Sequence, residues 1–539
     1  MNKLKNTMVW VPLIVAVAFM AGLYAGGLLQ RSPGVSKAAQ KLGTILNLVA
    51  SEYVDEVDLD SLVDVTLPSL LSNLDPHSVY IPKSRLSDVN DELESSFSGI
   101  GVQFMMQNDT ITVLEVISGG PSEKVGLMAG DRIVTIDGED VTNRKLSPDD
   151  VRSMLKGEAG TRVKLGIKRK SSKSLLDYEV TRGDIPVTSV DSYYMLNDSV
   201  GYVRVNRFGR STYEEYYMAL MMLRSEGAKN FVVDLRGNTG GFMEVAIYMA
   251  NEFLNDGDVI VKQRGRNGRN NDQVLANGQG SFSEFPLVVL LDEYSASSSE
   301  IFAGAIQDND RGLIVGRRSF GKGLIQRQVD LPDSSAIRLT IARYYTPSGR
   351  CIQKDYTDIE TYERDIVDRY NHGEAFDRDS IRLNTEDMFL TSHGREVYGG
   401  GGIMPDIFVP YDTTGVTNYY LAVVNSGLLQ RFAFEFCDLN RDMLTEAEDV
   451  EAALPADNVL LRSFVQYAGQ NGIPARWYYI NISRDLIVNQ LKALIMRDIL
   501  GASAYYELMN RTDNTVQRAL KEIEEGNARF PLTDRKTSE

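Results

Sequence analysis

Histidine and cysteine are scarce in this 539-residue chain, with three of the first (His77, His372, His393) and two of the second (Cys351, Cys437). Two cysteines exclude a disulfide framework and a cysteine-rich zinc site, and leave room for one bridge at most. Three histidines leave few candidates for any mechanism that needs an imidazole base. Basic charge is also short: 57 Lys and Arg against 74 Asp and Glu give a net charge of −17. Binding a phosphate backbone rests on clustered Lys and Arg, so no nucleic-acid partner is expected. No metal site and no cofactor are expected either.

What is present reads as a folded, multidomain protein. With 43% apolar and 24% charged residues, the composition matches soluble globular chains and excludes both wholesale disorder and a polytopic membrane protein. At roughly 100–200 residues per domain, the length predicts about three or four domains. Lys3 and Lys5 precede an apolar run over residues 8–29, broken only by small residues and Pro12. Those 22 residues would span about 33 Å as a helix, enough for a bilayer. They predict a signal anchor over 1–34 with its basic end in the cytoplasm and the rest exported to the cell-envelope side. A cleaved signal peptide is the alternative, and it gives the same location.

Residues 35–96 read as a helical arm, with Leu42, Ile45, Leu46 and Val49 at helix spacing, closed by the turn Leu74-Asp75-Pro76-His77-Ser78. Residues 97–183 alternate as short strands, with a helix near 147–155. The stretch Gly119-Gly120-Pro121 through Gly126-Leu127-Met128-Ala129-Gly130-Asp131 resembles the PDZ domain signature. In a PDZ groove a peptide adds as a strand and its terminal carboxylate sits on backbone N–H groups. Gly99, Ile100, Gly101 and Val102 match that carboxylate loop; a glycine-relieved strand start is the plain alternative. Over 187–411 strands alternate with helices, an α/β layer pattern, and 412–539 is helical with no chemistry to name.

Chemistry concentrates at three places in the α/β part. Ser295-Ala296-Ser297-Ser298-Ser299-Glu300 follows a buried strand and opens a helix. Taken alone, Ser297 with Glu300 reads as a capping box, but a strand running through a sharp turn into a helix is also how a nucleophile is exposed. The glycine turn 237–241 ends another strand and can bring backbone N–H groups close. A serine needs a base, and the histidines have no suggestive carboxylate partners. Lys322, flanked by Gly321 and Gly323, is the other option, with Gln326 on the same face to orient its amine. Holding a lysine neutral near pH 7, against an ordinary value of about 10.4, costs roughly 4.6 kcal/mol and demands burial. A solvated surface lysine, or a phosphate-binding one, is the plain alternative.

Taken in order, Leu74-Asp-Pro-His-Ser78, Asp234-Leu-Arg-Gly-Asn-Thr-Gly-Gly241, Ser295 to Ile301, Phe320-Gly-Lys-Gly323, Tyr345-Thr-Pro-Ser-Gly-Arg350 and Gly401-Gly-Ile-Met-Pro-Asp406 resemble the carboxyl-terminal processing serine proteases, peptidase family S41. The resemblance covers about 35–410. In that family the serine and lysine stand 25 positions apart, which here selects Ser297 with Lys322. It implies a ClpP/crotonase-like α/β protease core and a Ser-Lys endopeptidase: Ser297 attacks, Lys322 is the base and Gln326 orients it. Ser298 N–H, with that of Gly240 or Gly241, would hold the oxyanion. Asp308 matches an acidic position of the family but stays outside the dyad. Ser298 and Thr239 depart from the alanine and proline common there. The implied partners are polypeptides with apolar carboxy termini, recruited by the PDZ module; a homo-oligomer is left open. Two other readings remain: a silent PDZ adaptor, and a nucleotide loop at 237–241, whose spacing fits no phosphate-binding pattern.

Overall fold

The computed structural model describes residues 37–529 apart from 92, 93, 95, 108, 171 and 383. The apolar run at 8–29 and the proposed anchor over 1–34 lie outside the described residues. Among the described residues, no helix is long and apolar enough to cross a membrane. The described residues divide into two compact units, one ending at Leu74 and the other beginning at Asp75.

In the first unit, helices α1 (Lys37–Glu52) and α2 (Leu59–Ser72) occupy the arm. Asp58 caps α2, its carboxylate accepting from Asp60 and Ser61 N–H. The apolar positions Leu42 and Ile45 form a helix stripe, as their spacing predicts, yet both remain about half exposed.

The second unit opens with β1 (Val79–Ile81) and α3 (Lys83–Asp91). A β-rich module follows, entered and left through one antiparallel ribbon of β2 (Ser96–Gly99) and β9 (Gly183–Pro186). Between them run β3 (Val102–Gln107), β4 (Thr110–Val116), α4 (Pro121–Val125), β5 (Arg132–Ile136), β6 (Glu139–Asp140), α5 (Pro148–Leu155), β7 (Arg162–Lys168) and β8 (Leu176–Thr181). Its core gathers Ile111, Val113, Ile133, Val151, Val163 and Ile167. Ser147 and Asp150 form a reciprocal capping box at the start of α5.

The α/β part is built on a six-stranded sheet. In chain order it holds β10 (Val190–Asn197), β11 (Val200–Val205), α6 (Thr212–Glu226), β12 (Asn230–Asp234) and α7 (Met243–Asn251). Next come β13 (Val259–Gly265), β14 (Asp272–Leu275), β15 (Leu287–Leu291), α8 (Ser298–Asp308) and β16 (Leu313–Gly316). Then follow β17 (Leu324–Asp330), β18 (Ala336–Tyr345), α9 (Ile359–Asn371), the β19 (Met388–Leu390) and β20 (Glu396–Tyr398) hairpin, and β21 (Ile407–Phe408). The sheet order is β10-β11-β12-β15-β16-β21, parallel from β11 onward. Every residue of β15 is buried because the sheet is covered on both faces. Leu287, Val289 and Leu291 meet the core beneath α6, α7 and α8, while Val288 and Leu290 point into a second core. A smaller antiparallel sheet, β1-β18-β13-β14 with β17 on β18, stands beside it.

The carboxy-terminal helices are α10 (Asn418–Asn425), α11 (Leu428–Thr445), α12 (Val450–Ala453), α13 (Asp457–Gln470), α14 (Trp477–Ile482), α15 (Arg484–Leu500), α16 (Ala502–Asn510) and α17 (Asn514–Glu524). Those from α10 to α15 enclose their own core, including Ile487, Leu491, Leu494 and Ile495. Helix α17 does something different. Its Val516, Ala519 and Ile523 form the second core with Val200, Tyr202, Val232, Val288 and Leu290, so the end of the helical region covers the far face of the α/β sheet. The spacing of those three residues, i, i+3 and i+7, marks an amphipathic stripe.

Candidate active site

Three adjacent parallel strands, β12, β15 and β16, end side by side. The turn after β12 is Arg236 to Gly241, the turn after β15 leads through Ser295 to Ser297, and the loop after β16 reaches Lys322. Adjacency in the sheet therefore delivers all three candidate places to one edge, where open α/β sheets bind ligands.

Ser297 sits at the head of α8 with φ 56° and ψ −112°. A positive φ on a residue with a Cβ is strained, and it turns the side chain out of the helix line. The neighbouring serines have other work. Ser295 Oγ donates to Leu235 O (2.8 Å), Ser298 Oγ to Gly241 O (2.9 Å) and Ser299 Oγ to Asn238 O (2.9 Å). These bonds lash the serine turn to the glycine turn, giving Ser298 a task that its backbone alone would not explain. Ser297 instead lines a cleft of about 630 Å³ together with Gly240, Gly241, Lys322, Gln326, Arg338 and Tyr344.

Lys322 is largely buried, and that burial, followed by the charge of Arg338, lowers its pKa from the ordinary lysine value. Its Nζ donates to Gln326 Oε1 (3.2 Å). The Gln326 amide is itself anchored, because its Nε2 donates to His77 O. An amide whose nitrogen is taken by a carbonyl must turn its oxygen the other way, toward the amine. The carbonyl is held by the 74–78 turn, where Asp75 Oδ1 accepts from His77 and Ser78 N–H (both 2.8 Å). The His77 ring bonds Tyr362 Oη through Nε2 (2.6 Å), and burial then Lys322 pull its pKa down to about 4. It is a neutral structural ring near pH 7, as a turn residue is expected to be.

Glu300 is the residue that sequence reasoning undervalued. It is fully buried and accepts four bonds: from Ser297 N–H (2.8 Å), Lys322 N–H (2.9 Å), Gly321 N–H (2.7 Å) and Ser319 Oγ (2.5 Å). Burial pushes its pKa up while the four donors hold it down. The capping motif was legible, but its partners 19–22 residues later were not. Tyr344 adds a second clamp: its hydroxyl lies 3.0 Å from Ser297 O and 2.7 Å from Lys322 O.

The glycine turn separates the two oxyanion candidates. Gly240 N–H donates to Asn238 Oδ1 (2.9 Å). Among the described residues, neither Gly241 N–H nor Ser298 N–H has a partner. Gly240, at φ 105°, packs so close that a Cβ there would stand 2.8 Å from Ser297 Cβ and 2.9 Å from Ala296 O. Only glycine fits. Asp308 lies at the far end of α8, about 15 Å along the helix. There it forms a fully buried ion pair with Arg350 (2.7 Å) and accepts from Ser348 Oγ (2.6 Å). It holds the 345–350 turn and stands away from the cleft, as do His372 and His393.

The candidate peptide loop is elsewhere. Gly99, Ile100, Gly101 and Val102 line a groove of about 870 Å³ between β3 and α5, with Phe97, Phe104 and Leu155 as apolar lining and Val89 of α3 facing them. Gly101 has φ 78°.

A strained serine and a buried lysine on a parallel α/β sheet, with a separate grooved β module, define a multidomain serine hydrolase. The model for peptidase family S41 matches residues 199–361, that for the PDZ domain residues 98–180, and a family of unknown function, DUF8443, residues 419–501. The carboxy-terminal-processing protease of Bartonella bacilliformis is 36% identical over 323 residues, 59% of this chain and 73% of that protein. The carboxy-terminal processing protease CtpB of Bacillus subtilis is 32% identical over 323 residues, 59% of this chain and 66% of that one. Among solved structures, the photosystem II D1 C-terminal processing protease is 27% identical with a TM-score of 0.36, covering 70% of this chain and 94% of that one. The chain belongs to peptidase family S41: it is a carboxy-terminal processing serine protease with a PDZ domain.

Proposed function

We propose that this protease cleaves exported polypeptides bearing apolar carboxy-terminal tails, using Ser297 and Lys322 as a dyad. The observation that carries this reading is the anchored chain from His77 O through Gln326 to Lys322, which aims a buried amine into the cleft that Ser297 lines. Neutral Lys322 takes the Ser297 Oγ proton as the oxygen attacks the scissile carbonyl carbon. The tetrahedral oxyanion is held by Ser298 and Gly241 N–H, candidate donors that have no partner among the described residues. Protonated Lys322 then gives its proton to the leaving amine as the C–N bond breaks, leaving an acyl ester on Ser297. Water hydrolyses the ester with Lys322 as base again.

The PDZ groove supports recruitment by the tail, which would add beside β3 with its carboxylate at Gly99 to Val102. The basic, apolar segment over residues 3–29 supports an anchored enzyme facing the cell-envelope side; fractionation of chains with and without residues 8–29 tests this. The exposed stripe of α1 favours self-association, measurable by sedimentation of the arm-bearing enzyme at rising concentration. For the dyad, Ser297→Ala and Lys322→Ala should each abolish cleavage of a protein ending in an apolar tail. Activity retained by purified Lys322→Ala overturns the mechanism.

A further inference from the structure

Helix α17 lies beyond the part of the chain matched by the protease family model, yet its first residue contact reaches the candidate oxyanion turn. Arg236 opens that turn. Its guanidinium is bound on one side by Asp234, at 2.7–3.1 Å, and on the other by Asp513, whose two oxygens lie 3.0 and 2.8 Å from Nη1. Asp513 is the N-cap of α17, its Oδ1 also accepting from Val516 N–H (2.9 Å). Arg236 and Asp513 have only 15% and 29% of their side chains exposed, so Asp513 is a partly buried acceptor for the outer edge of the guanidinium.

The turn has a second tie from the same end of the chain. Arg204 donates to Asp234 (3.1 Å) and to Arg236 O (3.0 Å), and its cation lies 4.7 Å from the ring centre of Tyr506 on α16. Asp191 lies farther from Arg204, at 3.8 Å. Helices α16 and α17 thus touch both arginines that grip Asp234. From Arg236 the backbone runs at once to Gly237, whose N–H is held by Asp292 (2.9 Å), and on to Gly241. We propose that Asp513 is a positioning residue for catalysis: docked on the far face of the sheet, α17 holds Arg236 and thereby sets where Gly241 N–H points. This rests on the oxyanion role assigned above.

Two functions of Asp513, capping and ion pairing, can be separated. Asparagine caps a helix as well as aspartate but carries no charge, whereas glutamate keeps the charge and caps less well. In the full chain, acting on a quenched peptide that ends in a free apolar carboxy terminus, Asp513→Asn should lower kcat about tenfold, below the roughly 10²–10³-fold cost of deleting an oxyanion donor, with KM within about twofold. Labelling of Ser297 by a serine-reactive phosphonate, which forms a tetrahedral oxyanion mimic, should slow in parallel. Asp513→Glu should melt lower than Asp513→Asn yet retain more kcat. Overturning results are a kcat for Asp513→Asn within twofold of wild type, or kcat values that follow the order of melting temperatures. Activity surviving Ser297→Ala overturns the serine assignment and the positioning role with it, while a wild-type-like Asp513→Asn enzyme overturns the positioning role alone.

Discussion

The protease cleft and the PDZ groove are held in opposite ways. Around the cleft the fixing groups are buried: Glu300 and Tyr344 are 0% and 1% exposed. Around the groove they are half wet. Asp91 of α3 meets Lys156 at the end of α5 (3.0 Å) with 28% and 25% of their side chains exposed. The PDZ module leans on α11 through Arg132–Asp438 (3.1 Å) and Gln107–Glu435 (2.8 Å). The difference follows from the two tasks. Acyl transfer needs its donors and base placed within fractions of an ångström, and buried bonds hold that geometry. Tail binding by strand addition draws on main-chain bonds that tolerate small shifts of the module.

The comparison breaks most sharply at Glu300. Glu300→Gln keeps the shape, but one of its two acceptor positions becomes a donor facing N–H groups. The expected loss is on the order of 10³-fold in kcat/KM, equivalent to about 4 kcal/mol, with tail binding to the PDZ groove preserved. A variant that cleaves normally, or loses both together, removes the distinction.

The next effect is electrostatic. Burial, then Arg338, lowers the Lys322 pKa. Below its folded pKa the lysine is charged and cannot serve as base, so activity rises as pH rises through that value. Arg338→Gln removes one depressing charge, and the rising limb of kcat/KM against pH should move to higher pH, costing a few-fold at neutral pH. The same shift has a stability sign. Between the folded pKa and the unfolded value of about 10.4 the unfolded lysine binds the proton that the folded one has released, so stability rises with pH across that window. An unmoved limb would show that Lys322 is not the titrating base.

The smallest effect belongs to the groove. Asp91→Asn removes one negative charge from beside Lys156 and the groove and should tighten binding of a tail carboxylate, measured by calorimetry, by up to about fivefold at low salt. The gain should vanish near 1 M salt, and kcat on a short peptide should stay unchanged. A salt-insensitive change, or one that alters kcat, would mean that the groove is built as rigidly as the cleft.

Much of the site was legible along the chain. The strand, turn and helix around Ser297 and the glycine turn leave local marks, whereas the burial of Lys322 was a requirement of the chemistry that only the fold supplies. Glu300 left only half of its mark: the box with Ser297 spans four residues, but its bonds to Ser319, Gly321 and Lys322 depend on how β16 lies beside β15. That Gly240 N–H is engaged while Gly241 N–H is not was illegible, because it turns on one bond, from Gly240 N–H to the Asn238 side chain. The helical end read as one region with no chemistry, yet α17 belongs to the α/β core and reaches Arg236.

Residue type and short-range spacing alone were enough to exclude a disulfide framework and a cysteine-rich zinc site, to turn the search for a base from histidine toward lysine, and to mark the strands and helices, because periodicity and turn chemistry act over a few residues. Which turns meet was decided by the sheet. The order β12-β15-β16 brings together residues 241, 297 and 322, and no local rule specifies strand order, since it emerges from burying both faces of the sheet at once. The same burial draws α17 across the far face, and with it Asp513 to Arg236.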